Sequence, residues 1–335
     1  MHAQISAIEY WLPEQVETNE DLKGHFPDCD VDAIAAKTGI EQRHIAGSHQ
    51  CASDLGYEAA MRLFAEGKCK PDEIDYVIFC TQAPDYFLPT TACTLQDRLQ
   101  IPMSSGALDI NLGCSGYIYG LGLAQGLIES SQANKILLIT AETYSKFINR
   151  RDKSVRVLFG DAGAATLIGP LDRPAIGPFV YGTDGRGARN LIVPVGGMRA
   201  RSDAKTYPEL SDEYGNVRSA ENLYMNGPEI FAFTLQAVPQ CVEDLLKKSG
   251  MSLDQIDVFI FHQANRYMLS HLRQRLKIPE EKFVLALAEV GNTVSASIPI
   301  ALKTALTSGR IRSGDTVMLV GFGVGYSWGA TLLRW

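Results

Sequence analysis

The chain has 335 residues, 46% of them hydrophobic and 21% charged, which is enough apolar material for a substantial core and argues against wholesale disorder. A formal net charge of -7, from 31 basic and 38 acidic residues, argues against a general nucleic-acid binder. Seven cysteines, at 29, 51, 69, 80, 93, 114 and 241, form no CxxC or Cys/His cluster and follow an N-terminus without a basic or apolar leader, so free thiols in a cytoplasmic protein are expected.

Short apolar runs, many β-branched, alternate with longer helical patterns, the first over Ser53 to Glu66. Asp72-Glu-Ile-Asp-Tyr-Val-Ile-Phe79 then reads as a polar lead into a buried strand. Ile110 to Ile128, 19 residues without a charge, is long enough to raise a membrane span. Asn111, Ser115, Gln125 and glycines 113, 116, 120, 122 and 126 instead predict a buried central helix over Tyr117 to Glu129, where small residues admit close neighbours. Ile136 to Ile139 is the next strand. Asp184 to Tyr224 carries several Gly and Arg residues with little periodicity and reads as an insertion or cap loop.

Beyond it the chain repeats itself. Asp254-Gln-Ile-Asp-Val-Phe-Ile-Phe261 copies the pattern of Asp72 to Phe79 at an offset of 182. A helical pattern covers Asn265 to Lys277. Ile278-Pro279 repeats Ile101-Pro102 at 177, Val317-Met-Leu-Val320 repeats Ile136 to Ile139 at 181, and Ala330-Thr-Leu332 repeats Ala165-Thr-Leu167 at 165. These ordered matches predict a duplicated α/β unit of mainly parallel strands with crossover helices, its halves at 1–172 and 173–335 packed as one body.

Ligands of such sheets bind beyond the carboxyl ends of strands. The repeat carries Cys114 onto Asn292, each just after an apolar strand and a glycine, and the strand ending at Phe261 delivers His262 to the same region. Cys114 sits at a strand-to-helix turn, where unpaired N–H groups and the helix dipole predict a lowered thiol pKa and a thiolate nucleophile. The competing readings are structural: a buried cysteine filling space, a satisfied histidine, and an Asn turn before a helix beginning near Ser295. No Cys/His set has metal-ligand spacing. The glycines of Gly321 to Gly329 do not open a helix as a dinucleotide fingerprint does, since Ala330-Thr-Leu-Leu leads into a strand; they are expected to let backbone N–H groups approach a reacting oxygen. Gly113-Cys-Ser-Gly116 is not a GxSxG elbow.

Gly113-Cys-Ser-Gly116, His262-Gln-Ala-Asn265, Gly291-Asn-Thr293, Gly321-Phe-Gly-Val-Gly325, Leu12-Pro13, Thr38-Gly-Ile40 followed by Arg43-His44, and Phe159-Gly-Asp161 together resemble the β-ketoacyl-acyl-carrier-protein synthase III family of the thiolase-like superfamily, in order along the whole chain. The resemblance implies a thiolase-like fold, with duplicated βαβ-type halves in a layered α/β/α/β/α body. It also implies an acyltransferase that acts as a homodimer, with no permanently bound cofactor, metal, nucleic acid or membrane partner. Its substrates would be acyl and malonyl thioesters of coenzyme A or of acyl carrier protein phosphopantetheine. In that family's chemistry Cys114 takes up an acyl group. His262 and Asn292 stabilise the enolate formed when a malonyl thioester loses carbon dioxide, and backbone N–H groups of Cys114 and Val324 form the oxyanion hole.

The sequence also departs from the family. Where the family commonly sandwiches adenine between an aromatic residue and an Arg, this chain has Ala33 and Lys153, which predicts a donor presented on carrier protein rather than coenzyme A. Val324 replaces a common Gly. Leu88 stands where short-chain enzymes place a Phe that reaches the partner's acyl pocket, leaving room for a longer or branched acyl group. Arg266, Arg273 and Lys277 are expected on one helical face as a docking surface for acidic carrier protein, with Tyr267 where an Arg is usual. Three other readings remain open: acyl transfer to an amine or hydroxyl, a non-catalytic carrier-binding protein, and a chalcone-type enzyme adding several malonyl units.

Overall fold

The computed structural model describes residues 1–202 and 207–335, so residues 203–206 of the expected cap loop lie outside the described residues. The apolar runs become strands of two sheets. The first contains β1 (His2–Trp11), β2 (Tyr76–Cys80), β3 (Gly106–Ile110), β4 (Ile136–Glu142) and β5 (Ala162–Leu171), in the order β1-β5-β4-β2-β3. The second contains β6 (Ile176–Thr183), β7 (Val258–Phe261), β8 (Thr316–Gly323) and β9 (Ser327–Arg334), in the order β7-β8-β9-β6.

The two sheets are built on one plan. Phe79 pairs with Ile139 and Ile139 with Ala165 in the first, as Phe261 pairs with Val320 and Val320 with Ala330 in the second. Even the missing fifth strand leaves a trace, because a parallel bridge joins Phe259 to Phe283 on the side of β7 where β3 flanks β2. The expectation of mainly parallel strands is corrected: β2 runs parallel to β3 and β4, and β7 to β8, but the remaining pairs are antiparallel. The link between β8 and β9 is a tight turn, which only antiparallel neighbours can use.

The five longest helices of the described residues fill the layers: α1 (Ala52–Ala65), α2 (Gly116–Glu129), α3 (Gly227–Ser249), α4 (Arg266–Arg275) and α5 (Ser297–Thr307). Alternation along β2 sorts its side chains. Val77 and Phe79 pack with Leu55, Ala59 and Leu63 of α1, while Ile78 faces Tyr117, Ile118 and Leu121 of α2. Ile260 and Leu319 of the second sheet share that middle core with α2 and with Ile298, Ala301 and Leu302 of α5. On the far side, Phe259, Phe261 and Val320 pack against Val238, Val242 and Leu245 of α3 and Leu269 and Leu272 of α4. The result is a helix, sheet, helix, sheet, helix stack with α2 and α5 between the sheets.

One face of the uncharged stretch is therefore buried between the sheets, while Asn111, Leu123 and Gly126 are exposed, and no helix among the described residues is long and apolar enough to cross a membrane. Within 184–224 the described residues include short paired strands, Leu210–Ser211 with Val217–Arg218 and Leu191–Ile192 with Tyr224–Met225, but Leu191 and Leu223 are buried in the core, so the segment is not only a surface cap.

Candidate active site

The turn after β3 brings Cys114 to the start of α2, where Gly116 N–H donates to Gly113 O at 2.8 Å. Gly323, the last residue of β8, faces it. A Cβ there would stand 2.8 Å from Cys114 Cβ and 2.9 Å from its Sγ, so only glycine leaves room for the thiol. The backbone N–H groups of Cys114 itself and of Val324 lie where they favour negative charge on the sulfur. Burial outweighs them. With Cys114 only 5% exposed, burial first and the nearby Glu142 second push the thiol up to about 12, so the lowered pKa expected from the turn is corrected.

β7 delivers His262 to the same place, with its N–H donating to Val320 O at 2.8 Å. The ring is buried, its Nδ1 is 2.7 Å from Ser297 Oγ at the start of α5, and Phe322 meets it edge-on at 5.5 Å. Burial lowers its pKa to about 3, so the ring is neutral at physiological pH. When the Ser297 hydroxyl donates to Nδ1, the proton sits on Nε2.

Asn292 is fixed by both neighbours of Phe159. Its N–H donates to Leu158 O at 2.8 Å and its carbonyl accepts from Gly160 N–H at 3.0 Å. Gly291 takes the left-handed φ of 69° that turns the chain into this rung. The side-chain Oδ1 accepts from Val294 N–H at 3.0 Å, which leaves the Nδ2 hydrogens as the free donors. The Asn turn expected from sequence is thus present and also orients the carboxamide. The helix expected near Ser295 begins as a single 3-10 turn, Val294–Ala296, before α5.

Cys114, His262 and Asn292 all line one cavity of about 580 Å³. Its walls include Tyr144, Phe159, Leu191, Met225 and Phe322, so it is largely apolar, and Ile34, Lys37, Lys153 and Tyr267 also border it. Lys153 is therefore on the cavity wall, whereas at the aromatic position Ile34 rather than Ala33 borders it. Leu88 is 81% exposed and lines no part of its own chain's cavity; Tyr86 and Phe87 beside it are exposed as well.

The placement of Lys277 is corrected. α4 ends at Arg275, and Lys277 follows it with φ of 56°, just before Ile278-Pro279, so it is not on the helical face. Arg266 and Arg273 do lie on α4; the exposed Arg266 donates to Ala36 O at 2.8 Å, and Arg273 pairs with Glu280 at 3.3 Å.

Sequence reasoning passed over Glu142, the end of β4 and fully buried. Its carboxylate accepts from Gln82 N–H at 3.1 Å, Ser295 Oγ at 2.9 Å and Thr81 Oγ1 at 3.4 Å. Gln82 in turn accepts from the Tyr144 hydroxyl at 2.6 Å. Among the described residues no group of three or more His, Cys, Asp or Glu could hold a metal ion. The arrangement offers a thiol, two backbone N–H donors beside it, and neutral His and Asn donors, a set suited to acyl transfer through sulfur.

Residues 108–185 match the family described as 3-oxoacyl-[acyl-carrier-protein (ACP)] synthase III, and residues 246–335 its C-terminal part. A protein of Caldanaerobacter subterraneus named beta-ketoacyl-[acyl-carrier-protein] synthase III is 36% identical, covering 99% of this chain and 98% of its own. One of Streptomyces coelicolor, named beta-ketoacyl-[acyl-carrier-protein] synthase III 3, is 38% identical over 99% and 96%. A crystal structure of a 3-oxoacyl-(acyl-carrier-protein) synthase III superposes with a TM-score of 0.98 at 52% identity, covering 100% of both chains. A 3-oxoacyl-(acyl-carrier protein) synthase of Burkholderia xenovorans superposes at 0.92 with 39% identity, over 100% of this chain and 94% of the other.

Proposed function

Because the chain belongs to the 3-oxoacyl-[acyl-carrier-protein] synthase III family, we propose that its residues carry out that family's decarboxylating Claisen condensation as follows. The Cys114 thiol attacks an acyl thioester; the sulfur–carbonyl bond forms as the donor's carbon–sulfur bond breaks, and the displaced thiol leaves with the proton. A malonyl thioester then enters and loses carbon dioxide, and His262 Nε2–H and Asn292 Nδ2–H donate to the enolate oxygen. The carbanion attacks the acyl carbonyl, held by the N–H groups of Cys114 and Val324, and expels Cys114 as thiolate, giving a 3-oxoacyl thioester.

The observation that carries this reading is the convergence of Cys114, His262 and Asn292 on one apolar cavity, with the last two neutral and free to donate. The pairing of Ala33 and Lys153 supports acyl carrier protein over coenzyme A as the acyl donor, since neither side chain stacks on adenine as Trp and Arg do. We place the enzyme in the cytoplasm as a homodimer. The exposed Tyr86, Phe87 and Leu88 suit burial against a second copy, and Leu88 would then reach the partner's acyl pocket. The halves 1–172 and 173–335 are supported by the matched registers of the two sheets.

The test is intact-protein mass after incubation with matched acyl-coenzyme A and acyl-carrier-protein panels, followed by malonyl-carrier protein. Acylation at Cys114, mainly from carrier protein, and extension with release of carbon dioxide is expected. Acylation without malonyl consumption would move the reading to amine or hydroxyl transfer, and no acylation at all to a carrier-binding protein.

A further inference from the structure

Glu142 is a carboxyl with no exposure, no cationic partner among the described residues, and a place near enough to Cys114 for its charge to raise the thiol. Its three donors come from two segments far apart in the chain. Gln82 N–H and Thr81 Oγ1 belong to the segment leaving β2, and Ser295 Oγ belongs to the turn that carries Asn292. The Gln82 side chain continues the connection toward Cys114: its Oε1 would lie 2.4 Å from a Cβ on Gly113, so it packs against the backbone immediately before the thiol.

The titratable groups around Glu142 are the Cys114 and Cys80 thiols, the Tyr144 hydroxyl and the Asp161 carboxyl, arriving from α2's leading turn, β2, the segment after β4 and the residue before β5. None of these can supply a positive charge, and the Ser295 turn offers only its hydroxyl. A charged carboxylate there costs desolvation that three hydrogen bonds do not repay. Burial accordingly raises Glu142 to about 8, against the lowering by Gln82, Ser295 and Thr81. A protonated carboxyl can reverse one hydroxyl contact and donate into it without moving any chain.

We propose that Glu142 is a positioning residue that holds a proton near Cys114, tying the segment after β2 to the Asn292 turn, and that losing this proton opposes thiolate formation at Cys114. Negative charge on Glu142 raises the Cys114 thiol, so the two ionisations oppose each other. This rests on Cys114 being the nucleophile, yet it can be tested without any thioester.

The experiment is alkylation of the full chain by iodoacetamide from pH 6 to pH 10, with modification at Cys114 read by peptide mass. The wild-type rate should climb with pH throughout and fall progressively behind Glu142→Gln around pH 8, where Glu142 charges. The two should match at pH 6.5, and Glu142→Gln should be faster by roughly threefold at pH 9. Ser295→Ala removes one donor from the carboxylate and should move the wild-type lag to higher pH; it serves as the test if Glu142→Gln fails to fold. Superimposed profiles for wild type and a folded Glu142→Gln, or an unmoved profile for Ser295→Ala where the Glu142→Gln variant cannot be read, overturn the proposal. If alkylation responds to Glu142 while no thioester acylates Cys114, the proposal stands and the condensation reading falls.

Discussion

At matched positions the two sheets end in opposite ways. β4 finishes in Glu142, a buried carboxyl, whereas β8, in the same register, finishes in Gly323, which has no side chain at all. Cys80 follows Phe79 where His262 follows Phe261, and the repeat sets Cys114 opposite Asn292. One sheet thus presents groups that can lose a proton, and the other presents neutral hydrogen-bond donors and the space for sulfur. On the proposed chemistry, two places matched in register have come to hold a nucleophile and the acceptor site it faces. Neither half holds a complete set.

Changing one side at a time separates these contributions. Cys114→Ala should lower acylation by roughly a thousandfold or more, leaving no acyl mass on the intact protein, while thermal unfolding stays cooperative. On the other side, Asn292→Ala and His262→Ala should slow carbon dioxide release from malonyl-carrier protein by about 10²–10³, as loss of an oxyanion donor does, with acyl loading retained. Unchanged release in both would remove the donor role from the second sheet. Gly323→Ala tests the space rather than the donors: its Cβ would press on Cys114 Cβ and Sγ, and a displacement near 1 Å should cost roughly 10²-fold in acylation rate.

The smallest effect concerns protons. His262 titrates near 3 rather than at its ordinary value, so carbon dioxide release should show no inflection near pH 6.5 that disappears in His262→Gln. The unfolded chain takes up the proton that the folded one refuses. Stability should therefore be lost as pH falls below the ordinary histidine value toward 3, and urea midpoints should fall less between pH 7 and pH 5 in His262→Gln than in wild type.

The repeat was legible because each copy fills the same place in a sheet: Ile136 to Ile139 and Val317 to Val320 are the central strands, and both must be apolar on two faces. Cys114, His262 and Asn292 were legible for the same reason, since the repeat aligned their strand ends. Glu142 was not, because a glutamate closing an apolar run looks like a strand reaching solvent, and what buries it is a turn more than 150 positions away. Extending the 181 offset by three residues would have set it against Gly323 and marked the site. The thiol's raised pKa was equally hidden, because the N-terminal end of a helix can be read locally and burial cannot. Lys277 was misplaced on a helix because nothing in the charge spacing reports that the backbone turns left-handed after Arg275.

The rung between Phe159 and Asn292 has a consequence for how the site breathes. Asn292 lies outside any strand, yet its amide and carbonyl are both spent on the segment from Leu158 to Gly160, and the residue is buried. Opening it requires parting the first half of the molecule from the second at that rung, not fraying a loop. Its amide should exchange with deuterium on the slow timescale of the sheets, so the acceptor site stands assembled before any thioester arrives.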